Sequence, residues 1–173
     1  MAAEVEVRMI LFLGAAAALA QDSGWIQLEA PLDQPAGDHY CADVVGTEVE
    51  PDLDLQAHTC KGVGTDDQVF TIDAPRTGKI SLPDYGLCVA AETVAAGASL
   101  FVTACARDSK QRWVSTADGQ IHPADDESLC WTAAEGRGAD AGGGFLKRVL
   151  TLEACADFGE RYNTWILPAA VGS

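Results

Sequence analysis

Residues 87–113 read LCVAAETVAAGASLFVTACARDSKQRW. This stretch contains a first cysteine segment, a second cysteine segment and a closing Q-x-W motif, and the same plan occurs three times in the chain. The first cysteines of the three segments lie 47 and 42 residues apart, and the second cysteine precedes the closing aromatic residue by 10, 8 and 10 residues. Repeats of this length indicate one supersecondary unit that packs against its own copies. The closing aromatic residues of the three units are Phe70, Trp113 and Trp165.

Six cysteines in one chain predict disulfides if the protein is exported. Each repeat holds two cysteines, so the simplest pairing is within repeats, and the closed loops then span 19, 17 and 25 positions. Loops of this size stabilise a fold by roughly 3 kcal/mol each in the chain-entropy model. No C-x-x-C spacing occurs, so a zinc site is not expected. No cofactor is expected either. The predicted pairs are Cys41–Cys60, Cys88–Cys105 and Cys130–Cys155.

Short apolar segments bounded by turn residues predict an all-β fold, and no long stretch has helical periodicity. Each repeat offers an opening strand, two cysteine strands and an aromatic strand, which predicts twelve strands in all. The glycine-rich run at 135–144 lengthens the third repeat between its cysteines. So many glycines favour a flexible surface loop over a strand or a helix.

The first twenty residues predict a signal peptide. Residues 9–20 are an apolar run that is too short to cross a bilayer, and the run ends in the small-x-small pattern Ala18-Leu19-Ala20. Glu4 and Glu6 are unusual ahead of such a run, so either the positive region is weak or Met9 is the true start. An amphipathic helix is the alternative, but the run has no polar face. We therefore expect a single mature domain over residues 21–173 in a secreted or periplasmic protein.

The charge of the chain disfavours two classes of partner. It has 26 acidic and 11 basic residues, a net charge of −15, and its lysines and arginines never cluster. Such a surface repels phosphate backbones and anionic lipid, so nucleic-acid binding is not expected. No other apolar stretch is long enough to span a membrane.

Three Q-x-W motifs or variants of it at repeat spacing, each behind a cysteine pair, resemble the ricin-B-type lectin family over about residues 24–168. The resemblance implies a β-trefoil: a six-stranded barrel capped by three hairpins around a pseudo-threefold axis. It implies that the closing aromatic residues fill the core and that Gln68 and Gln111 satisfy buried backbone groups. Asn163 takes the place of the glutamine in the third repeat.

The resemblance also implies a carbohydrate site in the first repeat. Sugar-binding members place an aspartate two residues after the first cysteine, an amide and an aromatic residue before the second cysteine, and a polar residue and glutamine before the closing aromatic. The matching residues here are Asp43, Gln56, His58, Asp67 and Gln68. His58 departs from the pattern because imidazole is a poorer stacking platform than indole. Asp43 could alternatively cap a turn, and His58 could be an ordinary surface histidine. Galactose-type ligands are those the resemblance implies.

The other two repeats lack this set. Ala90, Phe101 and Thr103 occupy the corresponding positions of the second repeat, so no sugar site is expected there. The third repeat has Thr132, Thr151 and Glu153 at these positions, and its only route to a site is Glu153 together with Tyr162.

Enzymatic activity is not expected. The sequence contains no G-x-S-x-G, H-E-x-x-H or P-loop pattern, and the predicted disulfides leave no spare thiol nucleophile. The principal alternative to a secreted lectin is a β-trefoil that binds or inhibits another protein through its loops without binding sugar. The segments at 45–54 and 135–144 are the candidate loops, and the oligomeric state is left open.

Overall fold

A computed structural model describes residues 23–62, 65–73 and 77–168, and the expected signal peptide at residues 1–20 lies outside them. This part of the chain contains fourteen strands, four short 3₁₀ helices and no α-helix. The strands are β1 Ser23–Gly24, β2 Gln27–Leu28, β3 Tyr40–Val44, β4 Leu53–Thr59, β5 Phe70–Asp73, β6 Lys79–Leu82, β7 Leu87–Ala91, β8 Leu100–Ala104, β9 Trp113–Ser115, β10 Ile121–Pro123, β11 Leu129–Ala133, β12 Ala139–Gly142, β13 Phe145–Ala154 and β14 Trp165–Ile166. The 3₁₀ helices are Asp66–Gln68, Ser109–Gln111, Cys155–Asp157 and Glu160–Tyr162.

The cysteine strands pair within each repeat, and they do so in one shared register. The antiparallel pairs are β3–β4, β7–β8 and β11–β13. In all three, the first cysteine lies opposite the residue two positions before the second cysteine. This register brings the cysteines of each pair to Cα–Cα distances of 4.9, 4.9 and 5.1 Å, and the three predicted disulfides within repeats are confirmed.

The aromatic strand of each repeat pairs with the opening strand of the next. The antiparallel pairs β5–β6 and β9–β10 join successive repeats. The last strand, β14, pairs with β2, so that Trp165 lies opposite Leu28 and the third repeat is joined to the first. Closure removes the exposed edges that an open sheet would present. The fold is the β-trefoil that the sequence predicts.

The three closing aromatic residues are buried in the core, as predicted. Phe70, Trp113 and Trp165 are each at most 2% exposed. The indole N–H of Trp113 donates to the carbonyl oxygen of Val89 at 3.0 Å, and that of Trp165 donates to the carbonyl oxygen of Trp131 at 3.0 Å. Both acceptors directly follow the first cysteine of their own repeat, so the core polar contacts obey the same internal symmetry as the strands.

The glycine-rich run of the third repeat is not the loop that its composition predicts. Ala139–Gly142 form strand β12, which pairs with β13 as a long hairpin. Gly142, Gly143 and Gly144 all have positive φ, a backbone conformation that residues with a Cβ adopt at a cost, and they form the turn. The glycines therefore permit the hairpin, and the loop prediction is wrong for residues 139–142. The opening strand of the first repeat also differs, because it is divided into β1 and β2.

The long hairpin is packed closely against the first repeat. β13 pairs with β4, which places Lys147 opposite His58 and Val149 opposite Gln56. At the base of the hairpin, the backbone N–H of Gly138 donates to Asp33 at 2.8 Å. A Cβ on Gly138 would lie 2.2 Å from the hydroxyl oxygen of Tyr40, so only glycine allows this approach.

A buried arginine completes the contact between the hairpin and the first repeat. Arg148 is 5% exposed and donates to Asp33 and to the backbone carbonyl oxygens of Ala134 and Gly136, while its guanidinium lies 5.0 Å above the ring of Tyr40. Burial by itself would raise the pKa of Asp33, but hydrogen bonds from Arg148, Gly138 and Tyr40 outweigh it and hold that pKa well below its usual range.

Candidate carbohydrate site

Asp43 is the centre of the site that the sequence predicts in the first repeat. It lies on β3 directly opposite Gln56 on β4, and it is only 1% exposed. The side-chain amide of Gln56 donates to one carboxylate oxygen at 2.8 Å, and that of Gln68 donates to the other at 2.9 Å. A buried carboxylate needs such donors, because an unpaired charge away from water is costly. Asp43 therefore does not act as a turn cap.

Lys61 is a member of this site that the sequence analysis missed. Its ammonium lies 2.7 Å from Asp43 and also donates to Asp67. Burial would lower the pKa of Lys61, but the hydrogen bonds to the two carboxylates raise it above its ordinary value. The available signal was its position directly after Cys60, whose predicted partner Cys41 is two residues before Asp43.

Gln68 has a structural task in addition to its contact with Asp43. It accepts a hydrogen bond from the backbone N–H of Lys61 at 2.7 Å and donates to the carbonyl oxygen of Thr59 at 3.2 Å. Gln111 makes the same two contacts in the second repeat, with Ala106 at 2.8 Å and Ala104 at 3.0 Å. The expectation that these glutamines satisfy backbone groups is confirmed, and only Gln68 also has a carboxylate to hold.

His58 lies on the same face as Asp43 but is largely covered. It is 7% exposed, and its Nδ1 atom lies 2.8 Å from the carbonyl oxygen of Thr59. The ring of Phe145, from the third-repeat hairpin, lies 5.6 Å from the His58 ring between centroids. Little of the imidazole face is open in this arrangement, and a platform role for His58 stays a prediction.

Four of the five predicted site residues are thus connected through the carboxylate of Asp43 and the ammonium of Lys61, and His58 borders them. Charge-assisted hydrogen bonds of this kind are the stronger ones in proteins. A cluster with a carboxylate acceptor, two amides and an ammonium donor offers both partners that vicinal hydroxyl groups require.

The corresponding places in the other repeats lack this cluster. Ala90 provides no carboxylate in the second repeat, where the ammonium of Lys79 instead lies 3.0 Å from the side-chain oxygen of Gln111. In the third repeat, Thr151 donates to Glu153 at 2.9 Å, and Thr132 is buried and donates to the carbonyl oxygen of Cys130. Only the first repeat has the cluster, because only the first repeat has an aspartate two residues after its first cysteine.

The third-repeat hairpin adds a groove beside the first-repeat cluster. The groove has a volume of about 320 Å³ and lies where the β3–β4 loop faces β12 and β13. It brings together Val45 and Asp54 from one predicted loop segment and Ala139 from the other. Gln56 lines it as well, so the groove adjoins the residues around Asp43. The nearby surface includes Val149, which is 64% exposed.

One group of potential metal-ligand atoms occurs among the described residues. Atoms of His122, Cys130 and Cys155 lie within 4.8 Å of one another. The two sulfur atoms are joined in a disulfide, so they are not available as the thiolates that bind metals. Within the ranges that the structure describes, no helix has the length and apolar character needed to cross a membrane.

Several solved β-trefoil structures are similar to this chain. The Vibrio vulnificus hemolysin/cytolysin β-trefoil lectin, with N-acetyl-D-lactosamine bound, has a TM-score of 0.58 and 17% identity, covering 89% of this chain and 98% of that one. The C-half of an earthworm R-type lectin, in complex with GalNAc, has a TM-score of 0.56 and 13% identity, covering 84% and 96%. The mdaA-1 domain has a TM-score of 0.61 and 19% identity, covering 83% and 88%.

At these identities the structures show a shared fold. No significant match is found among curated protein sequences. The family comparison is decisive, because the ricin-type β-trefoil lectin domain matches residues 32–166, most of the chain. The internal repeats, the register of the three cysteine hairpins and this match agree: the chain belongs to the ricin-type β-trefoil lectin family.

Proposed function

We propose that this protein is an exported lectin that binds a sugar at the first repeat, around Asp43. The observation that carries the proposal is the convergence of Gln56, Gln68 and Lys61 on the buried carboxylate of Asp43. The second and third repeats have no equivalent cluster among their described residues. The proposed activity is binding alone, with no chemical step.

Each group has a role that follows from its chemistry. Asp43 accepts hydrogen bonds from two neighbouring hydroxyl groups of the sugar, and Gln56 and Gln68 hold the carboxylate in place. Lys61 is 21% exposed in its side chain and has a flexible stem, so its ammonium can turn from Asp43 toward a ligand hydroxyl while it stays beside Asp67. Ligand hydroxyls then replace the ammonium as donors to Asp43.

One such site binds a monosaccharide weakly. A millimolar dissociation constant corresponds to about −4 kcal/mol. A strong attachment to cells therefore needs several copies of the protein or a surface with many glycans. Galactose-type sugars are the first ligands to test, because two of the similar lectins were solved with GalNAc or N-acetyl-D-lactosamine.

Export is part of the proposal. Three disulfides form and persist in oxidising compartments, which are extracellular or periplasmic. Cleavage after Ala20 is the matching expectation from the sequence, and mass spectrometry of the protein from the culture medium or periplasm tests it.

A glycan array tests the proposed site. We expect wild type and Glu153→Ala to bind the same glycans, because Glu153 hydrogen-bonds Thr151 of its own repeat and lies outside the Asp43 cluster. Asp43→Asn keeps the shape of the side chain but removes its charge, and it should lose binding while its melting curve shows a folded protein. The proposal is overturned if folded wild-type protein binds no glycan on the array, or if Asp43→Asn binds as well as wild type.

A protein-binding role is the second candidate, and the groove favours it. The two loop segments that the sequence suggested for such a role line the same 320 Å³ groove, beside the exposed Val149. In that case the folded protein binds no glycan on the array, and substitutions in the groove rather than at Asp43 abolish capture of its protein partner.

A further inference from the structure

We infer that the outward face of β13 is a second subsite, which binds the sugar unit next to the one at Asp43. This face consists of Phe145, Lys147 and Val149, and we call it the β13 strip. The inference rests on the proposed function and extends it: the ligand is an oligosaccharide of at least two units, and the third repeat contributes to the site of the first.

The strip and Asp43 lie on one continuous surface. Asp43 on β3 is opposite Gln56 on β4, and Gln56 is in turn opposite Val149 on β13. Residues that pair across an antiparallel ladder project to the same face of the sheet. Neighbouring strands are about 4.8 Å apart, so the path from Asp43 to Val149 is about 10 Å long. A single pyranose ring at Asp43 does not cover this path, whereas two linked rings do.

The alternation of residues along β13 directs the strip toward solvent. Arg148 and Leu150 are 5% and 1% exposed and face inward, whereas Phe145 and Val149 are 43% and 64% exposed. Lys147 is exposed between them. Two apolar side chains on either side of an ammonium suit a sugar ring, because its C–H face packs on apolar groups and its hydroxyls accept hydrogen bonds.

Phe145 supplies the aromatic surface that the first repeat lacks. In the first repeat, the position that sugar-binding relatives fill with an aromatic residue is His58, which is only 7% exposed. The Phe145 ring lies 5.6 Å from the His58 ring, at an angle of 52°, and is much more open to solvent. The exposed aromatic ring of this face is therefore on β13, one strand beyond Gln56 and on the side where the second sugar unit would bind.

The hairpin that carries this ring has a tight turn and a braced base. Gly142, Gly143 and Gly144 form the turn and all have positive φ. The base of the hairpin is held by Arg148 and Gly138 through Asp33. The strip is thus presented on a braced strand, which limits the ordering cost of binding.

The test compares one sugar in two contexts. The glycan array should carry each terminal sugar both as a monosaccharide and at the end of a longer chain. Three full-length proteins are compared on it: wild type, the double variant Phe145→Ala/Val149→Ala, and Asp43→Asn. The control is Val114→Ala, which shortens an apolar side chain that is 36% exposed on β9 of the second repeat, a strand that pairs with β10 and not with β3, β4 or β13. Titration calorimetry then gives dissociation constants for the best pair of ligands.

We expect wild type and the control to bind the longer glycan about tenfold more tightly than the monosaccharide, a difference of about 1.4 kcal/mol. The Phe145→Ala/Val149→Ala variant should lose this preference and keep its monosaccharide affinity. If that variant keeps the preference while Asp43→Asn loses all binding, the second subsite is wrong and the proposed function stands. If no glycan binds, or if Asp43→Asn binds normally, the proposed function and the subsite are both overturned.

Discussion

Arg148 donates a hydrogen bond to Asp33, a residue 115 positions earlier in the chain, and this contact fastens the third-repeat hairpin to the first repeat. The remaining donors of Arg148 reach the carbonyl oxygens of Ala134 and Gly136 at 2.6 and 2.8 Å. The arginine therefore satisfies backbone groups of its own hairpin and a carboxylate of another repeat at once.

Replacing this arginine should destabilise the protein substantially. Arg148→Met keeps much of the apolar stem but removes the charged donor to Asp33, which keeps its hydrogen bonds from Tyr40 and Gly138. It also removes the donors to the carbonyl oxygens of Ala134 and Gly136. Loss of one partner from a fully buried pair costs about 3–5 kcal/mol, and because Asp33 is 30% exposed we expect a loss of about 2 kcal/mol here. Urea unfolding at pH 7 measures the loss. The double variant Asp33→Asn/Arg148→Met should cost less than the sum of the single substitutions, and strict additivity would show that the two residues do not act together.

The same carboxylate predicts a loss of stability in acid. The pKa of Asp33 is lower in the folded protein than its ordinary value of 3.8, so the unfolded chain binds the proton more readily. The stability that this group contributes is present above pH 4 and is lost as the pH falls below it. Unfolding free energies measured from pH 5 to pH 2 should decline less steeply for Asp33→Asn than for wild type.

Gly138 should tolerate no side chain. In Gly138→Ala the new Cβ would lie 2.2 Å from the Tyr40 hydroxyl and 3.2 Å from the Leu146 side chain, so the hairpin must move. Overpacking of this kind costs about 1–3 kcal/mol. Removal of the hydroxyl in Gly138→Ala/Tyr40→Phe should recover part of the loss. Gly62→Ala is the matched control, because a Cβ at Gly62 meets nothing within 4 Å, and thermal unfolding should show little change there.

Substitutions of Gln111 and Gln68 should both lower stability, but only that of Gln68 should weaken glycan binding. Gln111→Ala removes the partner of the Ala106 N–H and of the Ala104 carbonyl oxygen, which should cost about 2 kcal/mol and leave glycan binding unchanged. Gln68→Ala should cost a similar amount and also weaken glycan binding, because Asp43 loses a donor. Chemical unfolding and calorimetry on the two variants test this difference. Equal binding by both would show that Gln68 serves the fold alone.

The repeat made the scaffold predictable from the sequence. Cysteine spacing and the positions of Phe70, Trp113 and Trp165 are local signals, and symmetry requires each unit to use them in the same way. The pairing of cysteines, the buried aromatic residues and the backbone contacts of Gln68 and Gln111 all follow from that. The grouping of Asp43, Gln56 and Asp67 follows as well, because these residues belong to one unit.

The features that were missed depend on contacts that the spacing does not encode. Lys61 enters the Asp43 cluster because it follows Cys60, and the disulfide to Cys41 holds this position beside β3. Phe145 reaches His58 only because β13 pairs with a strand of another repeat. Glycine content was misleading in the third repeat, since Gly142, Gly143 and Gly144 create a tight turn and thereby allow a strand.

The pairing of β14 with β2 brings the two ends of the described chain together, and a Cβ built on Gly24 would lie only 3.5 Å from the side chain of Pro168. A short peptide is therefore long enough to join these two ends. If new ends are then made at the exposed turn around Gly86, the result is a circular permutant with the same barrel. By the same geometry, a host protein could carry this domain inside one of its surface loops, entering and leaving at nearly the same point.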